Sequence, residues 1–302
     1  MRLWTGILFV LALGLFASCA QQSADPVETG GASSFESPYF EVTVIGNGPD
    51  IILVPGLASS GAVWDGTVTA LKDRYTLHVI QVNGFAGTPA NGNAQNEDVL
   101  DDLASGVSTY ANQMEDAPTL IGHSLGGLVA LKTALEPDTN LEHLIIVDVL
   151  PFFSVLMDPN ATAQSIAPVS AMMKATLLAQ SDDVFALSHA EALRALVKSE
   201  DDLQMALDWS IDSDRAVMAQ AMSEVLVTDL RTQISDISVP TLIIYARDEA
   251  IANMDAIESF YETLYAPIAD HNLIAVDDAL HFVMLDQPVA FLAAIQTVLT
   301  ES

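Results

Sequence analysis

Cysteine is almost absent: Cys19 is the only one in 302 residues, so no disulfide can form within the chain. Basic residues are scarce too, 10 Lys and Arg against 40 Asp and Glu, which gives a net charge of −30. That balance excludes a nucleic-acid partner, because phosphate binding needs a basic footprint. An anionic lipid surface would repel the chain as well, so membrane attachment has to be covalent or hydrophobic. The sequence carries no dinucleotide fingerprint, phosphate-binding loop or metal-ligand cluster, and neither a cofactor nor a metal is expected. What it does have is apolar content, 51% of residues, enough for a sizeable core in one large domain or two modest ones.

The first residues read as a targeting segment. Residues 1–19 join an early Arg2 to an apolar run over 7–16 and then small residues, the layout of a signal peptide. The run is short for a membrane-spanning helix. Phe16-Ala17-Ser18-Cys19 resembles the bacterial lipobox, which implies that Cys19 is lipidated and becomes the mature N-terminus. The alternative is ordinary cleavage after Ser18-Cys19-Ala20. Ala20 stands where an aspartate would signal inner-membrane retention, which points to the outer membrane. The expectation is therefore an exported protein, lipid-anchored at Cys19 to the outer membrane or cell envelope, with a periplasmic or secreted form as the alternative. Residues 20–38, rich in Ser, Gly, Ala and acidic side chains, read as a flexible tether.

Beyond the tether, short β-branched runs alternate with helical patterns, which predicts a mostly parallel sheet flanked by helices. Strands are expected over 40–44, 51–54, 77–82, 119–121, 144–147, 241–245 and 272–276, and a final helix over about 287–299. Residues 150–235 break this rhythm. They are rich in Ala, Leu, Met and acid with helical spacing, and read as a helical cap inserted between two strands of a core formed by 39–149 and 236–302. Met157, Met172, Met173, Met205, Met218 and Met222 either give that cap an adaptable apolar lining or simply pack its helices.

Gly122-His123-Ser124-Leu125-Gly126 fits G-x-S-x-G between a strand and a helix-compatible run. That context suits a sharp strand-to-helix turn, which exposes the hydroxyl at a helix N-terminus where developing negative charge is stabilised. With Pro55-Gly56-Leu57 upstream, a carboxylate after 241–245 and His281 after the last strand, the chain resembles the α/β-hydrolase family from about residue 40 onward, in its serine esterase and lipase-like branch. The resemblance implies that fold, with the cap inserted after the sixth strand, and the chain order nucleophile, acid, histidine.

The resemblance further implies Ser124 as nucleophile and His281 as base, with the backbone N–H groups of Leu57 and Leu125 as the oxyanion hole. His123 is expected beside the turn in a supporting role. For the acid, Ala246-Arg247-Asp248-Glu249 replaces the family's G-x-x-D, so Asp248 is favoured, with Glu249 and Asp148 as alternatives. The implied activity is hydrolysis of carboxylic esters of a small or medium apolar molecule through an acyl-enzyme. Carbon–carbon bond or lactone hydrolysis would use the same three residues. A non-catalytic, ligand-binding surface lipoprotein is the alternative outside enzymes.

Overall fold

In the computed structural model of the protein, residues 31–32, 35–250 and 254–299 are described. The expected leader, Cys19 and most of the expected tether lie outside them. The chain forms β1 (Gly31–Ala32), β2 (Phe40–Gly46), β3 (Asp50–Val54), α1 (Asp65–Leu71), β4 (Thr76–Val82), α2 (Val99–Ala111), β5 (Thr119–His123), α3 (Leu125–Leu135) and β6 (His143–Val147). Four helices follow: α4 (Ala163–Ala179), α5 (Asp182–Leu193), α6 (Glu200–Asp212) and α7 (Arg215–Val227). The chain then returns through β7 (Thr241–Arg247), α8 (Met254–Tyr265), β8 (His271–Asp277), α9 (Val283–Asp286) and α10 (Pro288–Leu299).

The strands make one sheet in the order β1-β2-β4-β3-β5-β6-β7-β8. From β4 to β8 every pairing is parallel, and only β1 and β2 run antiparallel to their neighbours. Both faces are covered, which is why the central strands read as unbroken apolar runs. Alternate residues serve opposite faces: Ile52 and Val54 of β3 join the cluster containing Leu103 and Leu128 of α2 and α3. Ile51 and Leu53 join Leu71 of α1 and Phe291 of α10 on the other side. Each such side chain contributes about 1.5–3 kcal/mol on full burial.

The tether expected over 20–38 is not loose to its end. β1 pairs with β2, and Phe35 stacks on Phe40 at 5.8 Å and packs against Tyr110 at 4.8 Å. The cause is aromatic burial: Phe40 and Tyr110 offer Phe35 an apolar seat, so the folded unit begins before residue 39.

The inserted stretch is helical as expected, and polar residues in the sequence mark its helix starts. Thr162 and Ser165 form a reciprocal capping box at α4, Ser199 caps α6, and Asp214 accepts from Ala216 and Val217 at α7. The insertion is also stitched to the sheet layer. Glu224 of α7 accepts from the Val99 and Leu100 N–H groups at 2.9 and 2.7 Å, capping α2 from outside. Asp214 N–H donates to the Gly84 carbonyl, and Gly87 N–H donates to that of Asp212.

After β3 the chain steps to β4 on one side, then crosses to β5 on the other. Strand order therefore reverses between β3 and β5, and the crevice beyond their carboxyl ends is where open α/β sheets bind ligands.

Candidate active site

Ser124 follows β5 at that crevice, with φ +55° and ψ −122°, backbone angles that a side chain rarely tolerates. Such strain costs roughly 1–3 kcal/mol and persists only where the surroundings over-determine it. Here the glycines supply the determination. A Cβ on Gly122 would lie 2.1 Å from the Gly126 carbonyl oxygen, and one on Gly126 would lie 2.4 Å from that of Val54. The turn closes only because both lack a side chain. It also aims the Ser124 hydroxyl out over the sheet, where His281 meets it.

His281 sits between β8 and α9, in a loop held at several points. Leu280 N–H donates to Asp286, and Phe282 N–H donates to the Leu196 carbonyl of the insertion. His123 Nε2 lies 2.9 Å from the His281 carbonyl. A carbonyl only accepts, so His123 carries its proton on Nε2 and leaves Nδ1 as a buried acceptor without a partner. Burial, aided by the positive charge available to His281, lowers the His123 pKa to about 3.

Protonation of His123 is therefore tied to folding. Unfolded chains bind this proton below about 6.5 and the folded chain does not until about 3, so His123 removes stability as pH falls through that window. The expected slope is about 1.4 kcal/mol per pH unit. Denaturant titrations between pH 6 and 4 should show that slope in the difference between wild type and His123→Gln; parallel pH profiles would refute it.

His281 bridges two partners. Its Nε2 is 2.8 Å from Ser124 Oγ, and its Nδ1 is 2.7 Å from Asp148 Oδ2. Asp148 follows β6 with φ +49°, and its side chain is 14% exposed. Burial by itself would raise its pKa, but the hydrogen bonds and charge of His281, with the Ala246 N–H, outweigh burial and hold the carboxyl below the usual carboxylate range. Its second oxygen accepts from Ala246 N–H at 2.9 Å and Tyr261 O–H at 3.1 Å.

The favoured acid, Asp248, is displaced from this chain of hydrogen bonds. It lies beyond the end of β7, where its carboxylate pairs with Lys198 at 2.5 Å and accepts from Ala250 N–H at 2.7 Å. Glu249 is exposed. The carboxylate behind the histidine is Asp148, because β6 lies next to β5 and its end stands one strand closer to Ser124 than that of β7. Tyr261 carries no signal in the sequence: it comes from α8, and only packing brings it to Asp148.

Leu57 and Leu125 are the residues expected to supply the oxyanion hole. Among the described residues, neither backbone N–H has a protein acceptor, and both residues line a cavity of about 280 Å³ above the serine. Ala58, next to Leu57, adopts φ +54°, a second strained position at the site. The rest of the wall is mainly apolar and includes Phe153, Leu193 and Leu196. Met218 and Met222 belong to it, whereas Met157 and Met172 face solvent with 51% and 65% exposure. Among the described residues, no group of three His, Cys, Asp or Glu side chains is placed to hold a metal ion.

The parallel sheet, the strained serine turn and the His281–Asp148 pair behind it define the class: the chain belongs to the α/β-hydrolase family, whose profile matches residues 51–295. It is similar to the pimeloyl-(acyl-carrier protein) methyl ester esterase of Aeromonas hydrophila, 26% identical over 83% of this chain and 95% of that protein. The enzyme of the same name from Vibrio atlanticus is 31% identical over 68% of this chain and 78% of its own length. Among solved structures, an esterase from Exiguobacterium antarcticum superposes with a TM-score of 0.71 at 21% identity, covering 86% of this chain and 95% of that one. A hydrolase from Pseudomonas aeruginosa gives 0.71 at 22%, over 86% and 94%.

Proposed function

We propose that the protein hydrolyses carboxylic esters of small or medium, uncharged, apolar molecules through an acyl-enzyme on Ser124. The observation that carries this reading is the unbroken relay Ser124 Oγ–His281–Asp148, with distances of 2.8 and 2.7 Å. Asp148 accepts the Nδ1 proton of His281, which leaves Nε2 free to take the Ser124 proton as the hydroxyl attacks the ester carbonyl. The Leu57 and Leu125 N–H groups, without other acceptors among the described residues, receive the oxyanion. His281 then protonates the departing alcohol, water repeats the cycle, and the acid leaves. The wall is mainly apolar, and no Lys or Arg among the described residues takes part in it, which favours an uncharged chain. In this reading residues 150–235 serve as the cap over the site.

The ester for which the similar enzymes are named supports the reaction class, not the particular substrate. The test is labelling by a fluorophosphonate probe together with hydrolysis of short p-nitrophenyl esters. Both are expected; a folded protein that shows neither would end the reading. We also propose that the chain works at the cell envelope, tethered through Cys19, on the strength of its lipobox-like leader. Intact-mass measurement of the protein from membranes should show acyl chains at Cys19, and an unmodified or absent Cys19 would remove the anchor.

A further inference from the structure

Apart from the inward-facing Nδ1 of His123, the polar side chains of the cavity wall are committed to the protein, with one exception. Ser59 donates to the Leu57 carbonyl and Ser210 to that of Ala206, while His123 and the Ser124–His281–Asp148 relay are bonded as described. His189, on α5 of the insertion, lines the same cavity as Ser124. Among the described residues its ring makes no well-formed hydrogen bond, and its Nδ1 is buried without a partner. The ring is nevertheless held in place: it stacks on Phe185 at 4.1 Å, and Phe185 in turn carries the Arg215 guanidinium at 4.3 Å. Burial lowers the His189 pKa, with Arg215 adding to the fall and the Phe185 carbonyl opposing it.

Nδ1 is shut off inside the protein beside the Phe185 backbone, so the edge of this half-buried, fixed imidazole left for a partner is Nε2, which makes no hydrogen bond among the described residues. We propose that His189 is a substrate-recognition residue, hydrogen-bonding a hydroxyl that the substrate carries away from its scissile ester. This deepens the esterase reading and rests on it, naming the substrate class as uncharged hydroxylated esters. A hydroxyl both donates and accepts, so it suits either neutral tautomer of the ring. A carboxylate does not suit the site, because no Lys or Arg among the described residues lines the cavity and the chain carries a net charge of −30. Sites built to hold a substrate hydroxyl reject analogues that lack it, since the protein group is then left buried and unpaired.

The experiment compares p-nitrophenyl esters of ω-hydroxyalkanoates with those of plain alkanoates across short to medium chain lengths. At the length that brings the hydroxyl to His189, kcat/KM should exceed that of the plain ester by about tenfold. In His189→Phe that ratio should fall to about one, and His189→Gln, which keeps a hydrogen-bonding edge, should recover part of it. Calorimetric binding of the same ester pairs to the Ser124→Ala protein reads recognition without chemistry. The hydroxylated ester should bind about tenfold tighter, and adding His189→Phe should equalise the two. No preference at any chain length, or a preference that survives His189→Phe, overturns the proposal. Should the wild type hydrolyse none of these esters, the esterase reading fails, and the binding comparison alone decides the role of His189.

Discussion

Ser124→Ala is expected to lower kcat for p-nitrophenyl esters on the order of a millionfold and to abolish fluorophosphonate labelling. Without the hydroxyl there is no acyl-enzyme, and what remains is the rate that the Leu57 and Leu125 N–H groups and the cavity lend to water attack. The fold should be untouched. Alanine inherits the +55° φ of Ser124 and its backbone bond from N–H to the Val147 carbonyl. Ser124→Gly offers an internal control: it should be equally inactive yet more stable than Ser124→Ala by about 1 kcal/mol, because glycine adopts positive φ without penalty. Thermal melts alongside kinetics separate the two effects. Turnover of Ser124→Ala within about a hundredfold of wild type would remove the serine from the chemistry.

Asp148→Asn should cost about four orders of magnitude in kcat, while Asp248→Asn stays within a few fold of wild type. The size follows from hydrogen-bond direction. Oδ1 of Asp148 accepts from the Ala246 N–H and the Tyr261 hydroxyl, so the amide oxygen of an asparagine would take that place. Its NH2 would then face His281 Nδ1, which has to accept instead of donate. The proton moves to Nε2, and the ring can no longer take one from Ser124. Asp248→Asn removes only a partly exposed pair with Lys198, worth at most about 1 kcal/mol of stability. Kinetics of the two variants under one set of conditions decide the matter. Equal losses, or a larger loss for Asp248→Asn, would return the acid to the end of β7.

Several parts of the site are legible in the chain's local chemistry. Gly122 and Gly126 around Ser124 signal a turn too tight for a Cβ, and His281 stands just after the last strand and its Asp277-Asp278 loop. His189 carries no such signal. Its place on a helical stretch is compatible with core or surface, and only the seating of α5 over the crevice brings its ring to the cavity that Ser124 lines. The methionines of the insertion show the same ambiguity, since their spacing suits a cavity or a helix contact, and of the six only Met218 and Met222 line the cavity.

The sequence by itself determined the alternation of strands and helices, the serine turn and the histidine that follows the last strand. These depend on residues near one another in the chain: apolar periodicity, glycine at points of close approach, and polar caps. The acid was decided only by the tertiary structure. Asp148 and Asp248 both follow apolar strands, and local chemistry does not separate them. Their fates diverge because β6 and β7 end side by side, with Asp148 N–H bonded to the Ile244 carbonyl, so lateral position in the sheet brings Asp148 to a histidine 133 residues away. Lys198, delivered by the helical insertion, holds the other carboxylate aside.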